Sequence, residues 1–131
     1  VKDAVGLTGL QLSILDVLWD RGEATTHDVW KAVAAERPLA LTTVATIMSR
    51  LERKQIVTHR QEGRQYVYRA TVSRAEVRRS KVRELTDVLF GGDASALVSH
   101  LVRGGDVDAR ELARIRALLT ETGARDASGD A

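Results

Sequence analysis

Within residues 42–54, TTVATIMSRLERK, the side chains able to do polar chemistry recur at helical spacing. Thr42, Thr43, Thr46, Ser49, Arg50 and Arg53 share one face of the expected helix, and Val44, Ile47, Met48 and Leu51 share the other. The result is a helix with an apolar back and a front of hydroxyls and guanidiniums, followed by Lys54. Such a front suits a nucleic-acid duplex. Short Thr side chains let the helix axis approach base edges and offer a methyl to thymine, while Arg reaches guanine or phosphate. Taken alone, the stretch fits equally well an amphipathic surface helix whose polar face is merely solvated.

The charge distribution bears on that choice. Residues 1–49 carry 4 basic and 6 acidic side chains, residues 50–83 carry 11 and 3, and residues 84–131 carry 5 and 9. The segment charges of −2, +8 and −4 leave a net charge of only +2. A strongly basic middle third, starting inside the helix just described, is the footprint of a phosphate-binding surface.

Other chemistries find little support. The sequence has no Gly-rich phosphate loop, no HExxH, no GxSxG and no cysteine, so the usual signatures of a nucleotide-binding, metalloprotease or hydrolase site are missing and catalysis is not expected. Disulfides and thiolate metal sites are ruled out by composition. His27, His59 and His100 stand far apart without partners at ligand spacing, and read as surface or packing histidines. No cofactor and no small-molecule substrate is implied. No run is apolar enough to span a bilayer and no signal peptide is recognisable at the start, so a cytoplasmic location away from membranes is the default expectation.

The elements that would position the polar front follow from caps and periodicity. Thr8 and Gln11 form a capping box, with Leu7 able to staple against Leu12, and open a helix that runs to about Asp20. Leu12, Ile14, Leu15, Leu18 and Trp19 supply its buried stripe, and Arg21-Gly22 ends it. Thr25 with Asp28 opens a second helix carrying Val29, Trp30 and Val33, which Glu36-Arg37-Pro38 stops. Leu39-Ala40-Leu41 links it to the helix of residues 42–54, the spacing of a helix-turn-helix with a long turn. The period then becomes alternating: residues 55–60 and 64–69 are β-prone, and Gln61-Glu62-Gly63 reads as the loop of a hairpin. A basic two-stranded hairpin after three helices is the wing of a winged helix-turn-helix. Its tip, with Arg60, Glu62, Gly63 and Arg64, can follow phosphate or enter the minor groove, or the hairpin serves only to cover the helical core. Tyr66 and Tyr68 point to one side and read as packing residues.

Residues 73–123 carry three further helices. Ser73-Arg74-Ala75-Glu76 caps a run to Phe90 with Val77, Leu85, Val88 and Leu89 as an apolar seam, and Gly91-Gly92 ends it. A shorter helix, residues 94–103, carries Leu97, Val98, Leu101 and Val102. The last starts at Asp108 with Leu112, Ile115, Leu118 and Leu119 on one face. These stripes exceed what three helices can enclose, which predicts a two-fold dimer through this bundle; the alternative is that the helices fold back on their own chain. The expected fold class is mainly α with a small β-hairpin: a winged helix-turn-helix over residues 1–72, a helical dimerisation bundle over 73–123, and a small polar tail, 124–131, expected to be disordered.

Four stretches in order, LTGLQLSILDVLWDRGEATTHDVWKAV, LALTTVATIMSRLERKQIV, EGRQYVYRATVSRAEV and FGGDASALVSHLV, resemble the penicillinase repressor family of the BlaI/MecI/CopY type over nearly the whole chain. The resemblance implies a homodimeric winged-helix repressor bound to a palindromic double-stranded DNA operator. It would put Thr43 and Thr46 toward the major groove and Arg50, Arg53 and Lys54 on or near the backbone. Two positions that are often basic in the family are here Thr42 and Ala45. Some members are cut by a membrane sensor protease at an Asn-Phe bond, and the matching candidate cleavage position is His100-Leu101. Copper-responsive members use a Cys-x-Cys cluster, which this cysteine-free chain lacks. A rival from another class is a winged-helix module that binds RNA or a protein partner without operator specificity.

Overall fold

Capping chemistry sets the helix boundaries in the computed structural model, which describes residues 6–129 and the side chains through Gly123. The first helix, α1 (Gly9–Arg21), starts at Thr8, whose Oγ1 accepts from the Gln11 N–H at 3.2 Å while Gln11 Oε1 accepts from the Thr8 N–H at 2.9 Å. After a short strand, β1 (Ala24–Thr25), the same reciprocal device between Thr25 and Asp28 opens α2 (Thr26–Ala34). The Asp28 carboxyl lies below its ordinary range because the Thr25 N–H bonds to its charged form. Next come α3 (Leu41–Arg53), β2 (Val57–Glu62), β3 (Gln65–Ala70), α4 (Arg74–Phe90), α5 (Ala94–Arg103) and α6 (Ala109–Gly129). Two compact units divide between Glu84 and Leu85.

The first unit has one core. Ile14, Leu15 and Leu18 of α1, Val29 and Val33 of α2, and Val44, Ile47, Met48 and Leu51 of α3 close on Ile56, Val57 and Tyr68. Burial of each large aliphatic side chain contributes about 1.5–3 kcal/mol, so the three helices are fixed chiefly through these apolar faces. Two tryptophans lean on the core and tie loops to it: Trp19 Nε1 donates to the Val72 carbonyl at 2.9 Å, and Trp30 Nε1 to the Leu39 carbonyl at 2.8 Å. The second bond pins the link that leads into α3.

Four features differ from the sequence expectation. The hairpin is joined by a two-residue loop, Gly63-Arg64, so Gln61 and Glu62 belong to β2 and pair with Tyr66 and Gln65. Gly63 takes φ +63°, the conformation a tight hairpin needs at its first loop position. A third strand was also not anticipated: β1 pairs antiparallel with β3 through Ala24 and Thr25, giving the sheet order β1-β3-β2. Two residues are too few to show alternation, so the strand has no pattern of its own.

The unit boundary expected after residue 72 lies instead inside α4. Val77, assigned above to the dimer seam, is 1 % exposed and belongs to the first unit's core. Arg74 donates to Asp20 at 2.8 Å and to Asp16 at 3.4 Å, with its guanidinium 5.3 Å from the Trp19 ring centroid, and Lys81 Nζ donates to the Leu7 carbonyl at 3.0 Å. The start of α4 therefore belongs to the first unit. Finally, α6 continues to Gly129 where a disordered tail was expected over 124–131; Ala124, Arg125 and Ala127 are compatible with a helix and no proline interrupts it. Residues 130 and 131 lie outside the described residues.

In the second unit α5 is capped by Asp93, whose Oδ1 accepts from the Ala96 N–H at 3.1 Å and from the Ser95 hydroxyl at 2.7 Å. Its helices bury almost nothing by themselves. Thr86 is the one buried residue among the described side chains of this unit.

At the end of α3 the Ile56 N–H reaches the Leu51 carbonyl at 3.0 Å and the Gln55 N–H reaches the Glu52 carbonyl at 2.9 Å, with Gln55 at φ +65°. This is a Schellman closure with a side chain at the position that normally takes glycine. Gln55→Gly should raise unfolding free energy by about 0.5–1 kcal/mol by removing the left-handed strain. Chemical denaturation of both proteins measures it, and an equal or lower midpoint for the variant would contradict the strain.

Candidate nucleic-acid interface

The buried back of α3 forces its other side outward. Thr42, Thr43, Thr46, Ser49, Arg50 and Arg53 are all exposed, as are Lys54 just beyond the helix and Ala45 within it. Ala40, the N-cap, supplies no side-chain acceptor, unlike the capped starts of α1 and α2. Arg50 and Arg53 occupy the last turn, where positive charge also suits the helix dipole.

The wing is tied to this helix by a contact that the sequence did not signal. Glu52 turns away from the exposed front, and its Oε2 lies 2.6 Å from His59 Nδ1 on β2. The His59 ring stacks on Tyr66 with centroids 4.1 Å apart and 19° between planes, and meets Tyr68 at 5.4 Å. Tyr68 is buried, and burial pushes its phenol above the ordinary tyrosine range, helped by the Glu52 charge. Tyr66 stays 47 % exposed, so of the two expected packing tyrosines only Tyr68 is in the core. Seven residues separate Glu52 from His59 across a helix end and a strand start, and no regular period links them.

Between the start of α3 and the wing loop lies an open cleft of about 430 Å³. Leu41, Thr42 and Ala45 form one wall, Arg64, Gln65 and Tyr66 the other, and Thr25, Thr26 and His27 the remainder. Arg64, at the loop, thus comes close to the polar front of α3.

Arg60 does not. Alternation along β2 places it on the sheet face opposite His59, hence away from the Glu52 contact. There two carboxylates hold it: Nη2 donates to Glu23 Oε1 at 2.8 Å, Nε to Glu23 Oε2 at 3.3 Å, and Nη1 to Glu62 Oε2 at 2.8 Å. The bond from Arg60 keeps the Glu23 carboxyl below its usual range, and Arg60 is correspondingly held in its charged form. Of the sequence-predicted contact residues, the structure therefore brings Thr42 and Arg64 to one cleft, leaves the others exposed along α3, and engages Arg60 elsewhere. Glu23, on the turn before β1, could not be matched to Arg60 without knowing that β1 joins the sheet.

The apolar residues assigned to a dimer lie on helices of the second unit, apart from Val77. Leu85, Val88, Leu89, Leu101, Leu118 and Leu119 are exposed, Val88 to 74 %, and Leu97, Leu112 and Ile115 are half-buried. His100, also exposed, tilts against Phe90 with centroids 5.8 Å apart. Among the described residues no group of His, Asp and Glu is arranged to hold a metal, and no helix is long and apolar enough to cross a membrane.

Three helices, an exposed polar third helix and a sheet-borne wing define a winged helix-turn-helix DNA-binding domain. Solved structures agree on the fold: the DNA-binding domain of the repressor BlaI superposes with a TM-score of 0.52 at 24 % identity, over 58 % of this chain and 93 % of that one. A mutant MarR from E. coli complexed with operator DNA gives 0.51 at 17 % identity, over 90 % of this chain and 76 % of that one. The sequence goes further. The penicillinase repressor family model matches residues 7–121, and the transcriptional regulator BlaI of Mycobacterium tuberculosis is 33 % identical over 88 % of this chain and 83 % of its own length. The chain belongs to the penicillinase repressor family of transcriptional regulators.

The Arg60 clamp yields a test. Glu23→Gln combined with Glu62→Gln should free Arg60 for phosphate, tightening binding to random duplex about two- to threefold and steepening the salt dependence by about 0.9 in the log–log slope, as expected for one further phosphate contact. The gain should vanish in an Arg60→Ala background. An equal gain there would show that removal of negative charge, and not release of Arg60, is responsible; fluorescence anisotropy across a salt series reads both.

Proposed function

We propose that this chain is a homodimeric transcriptional repressor that occupies a palindromic operator in the cytoplasm and thereby blocks a promoter. The observation that carries the proposal is α3: its four apolar side chains are sealed into the core, so Thr42, Thr43, Thr46, Ser49, Arg50 and Arg53 have no role in packing and face outward together. Threonines and Ser49 suit base edges, while Arg50, Arg53, Lys54 and Arg64 suit phosphate. Two such helices would enter successive major grooves of one duplex face about 34 Å apart. The DNA complex described for MarR supports the mode, as a related fold on operator DNA.

A second copy follows from unburied apolar surface. Val88, Leu89, Leu118 and Leu119 are each more than 60 % exposed in the single chain. Leaving so many large apolar side chains in water is unfavourable by the same area argument that stabilises the core, and a two-fold pairing of the second units covers them. Release of the operator is a separate step of the proposal. Cutting at His100-Leu101 in α5 by a membrane sensor protease would sever α6, with Leu112, Ile115, Leu118 and Leu119, from the rest of the seam and undo the dimer.

A gel shift on the DNA upstream of the chain's own gene, with excess random competitor, should give a retained specific band; complete competition by random DNA would sink the operator assignment. On that duplex Arg50→Ala or Arg53→Ala should weaken binding to every sequence and flatten its salt dependence, whereas Thr46→Ala should mainly alter sequence preference. Equal losses on specific and random DNA for Thr46→Ala would contradict base reading. Sedimentation at micromolar concentration should show twice the 14.3 kDa chain mass; a monomer alone would remove the dimer.

A further inference from the structure

The guanidiniums of α3 stand in its last turn, and the turns that wall the cleft beside the wing carry none. Leu41, the first residue of the helix, is 40 % exposed. It is followed on the outward side by Thr42, Thr43, Ala45 and Thr46. Leu41 and Ala45 have no polar side-chain atom. The Thr46 hydroxyl donates to the Thr42 carbonyl at 3.0 Å. Its one proton is therefore engaged by the helix backbone, and toward a duplex it can offer a methyl group and oxygen lone pairs.

The consequence concerns which base such a surface tolerates. Guanine shows two acceptors in the major groove, N7 and O6, and wherever a base meets Leu41, Ala45 and the engaged Thr46 hydroxyl, rather than Thr42 or Thr43, both are left unpaired once water is excluded. Thymine shows a 5-methyl group, which packs against carbon. Its adenine partner shows an amino donor that the Thr46 oxygen can accept. We propose that the first two turns of α3 select thymine through its 5-methyl group, with Leu41, Ala45 and Thr46 as specificity-determining residues. Arg50 and Arg53 then supply affinity for the backbone more than they supply sequence. This reading rests on the operator-binding role proposed above.

The test uses the full chain and duplexes of its own choosing. A pool of duplexes with a randomised centre is carried through rounds of binding and recovery, and the preferred sequence is remade with deoxyuridine replacing one thymine at a time, which deletes only the methyl. At one or two thymines in each half of the site, the replacement should weaken binding about three- to fivefold, the loss expected for one buried methyl. Thr46→Val, which keeps a methyl and loses the hydroxyl, should retain sensitivity at its thymine; Thr46→Ser, which does the reverse, should lose it. Leu41→Ala should reduce the effect at a neighbouring thymine, with thermal melting confirming that each variant is folded. Specific binding that is indifferent to every deoxyuridine, or that demands guanine where the variants act, overturns the methyl reading and leaves the repressor reading intact. A pool that never outcompetes random DNA overturns both.

Discussion

The structure depends on one constraint: Val44, Ile47, Met48 and Leu51 must all leave water, and they lie on one side of one helix. Ile14, Leu15 and Leu18 from α1 and Val29 and Val33 from α2 provide the surface that receives them. Once that contact forms, the rotation of α3 about its axis is no longer free, and the face bearing hydroxyls and guanidiniums is necessarily the one turned outward. Presentation of the polar front is thus a by-product of burying the apolar back, and needs no specific interaction on the front itself. The missing side-chain cap at Ala40 fits this arrangement, since core packing rather than capping holds the helix start in place.

Electrostatics around the wing are more finely divided than the net charge of the middle segment suggests. Three acids lie among its eleven cations. All three are committed within the molecule, Glu76 to the cap at Ser73, Glu52 to His59 and Glu62 to Arg60, and Glu23 from the preceding segment joins the last pair. The contacts of His59 and Arg60 sit on the sheet, one on each face. The Glu52 contact withdraws a carboxylate from the exposed front of α3 and at the same time braces the wing against that helix. The Arg60 clamp does the opposite, holding back a cation. On the proposed interface the cations of α3 and the wing loop are Arg50, Arg53, Lys54 and Arg64, fewer than the segment total of +8 implies.

The second unit shows the complementary situation, in which apolar periodicity has no internal recipient. Its helices have clear caps and clear seams, yet hardly any side chain is buried. Helices of this kind are stable only when the seam is covered. In the proposed dimer, the second half of the reading surface and the cover for these seams would come from the same event, the arrival of a second copy.

Local chemistry made much of this legible. Each capping box involves residues three apart, so Thr8 with Gln11, Thr25 with Asp28, Ser73 with Glu76 and Asp108 with Glu111 could be read off the chain, and all four form. The helical period of residues 42–54 likewise fixed the two faces of α3, because side chains on one helix are related by a rotation that the sequence states directly. What the sequence could not state was which distant segments meet. The pairing of β1 with β3, the capture of Arg60 by Glu23, the Glu52–His59 contact and the burial of Val77 in the first unit all join residues that no local period relates. Val77 shows the reason most plainly: its place in an apolar stripe was correct, but a stripe says only that a side chain must be covered, and the tertiary packing alone decides by what.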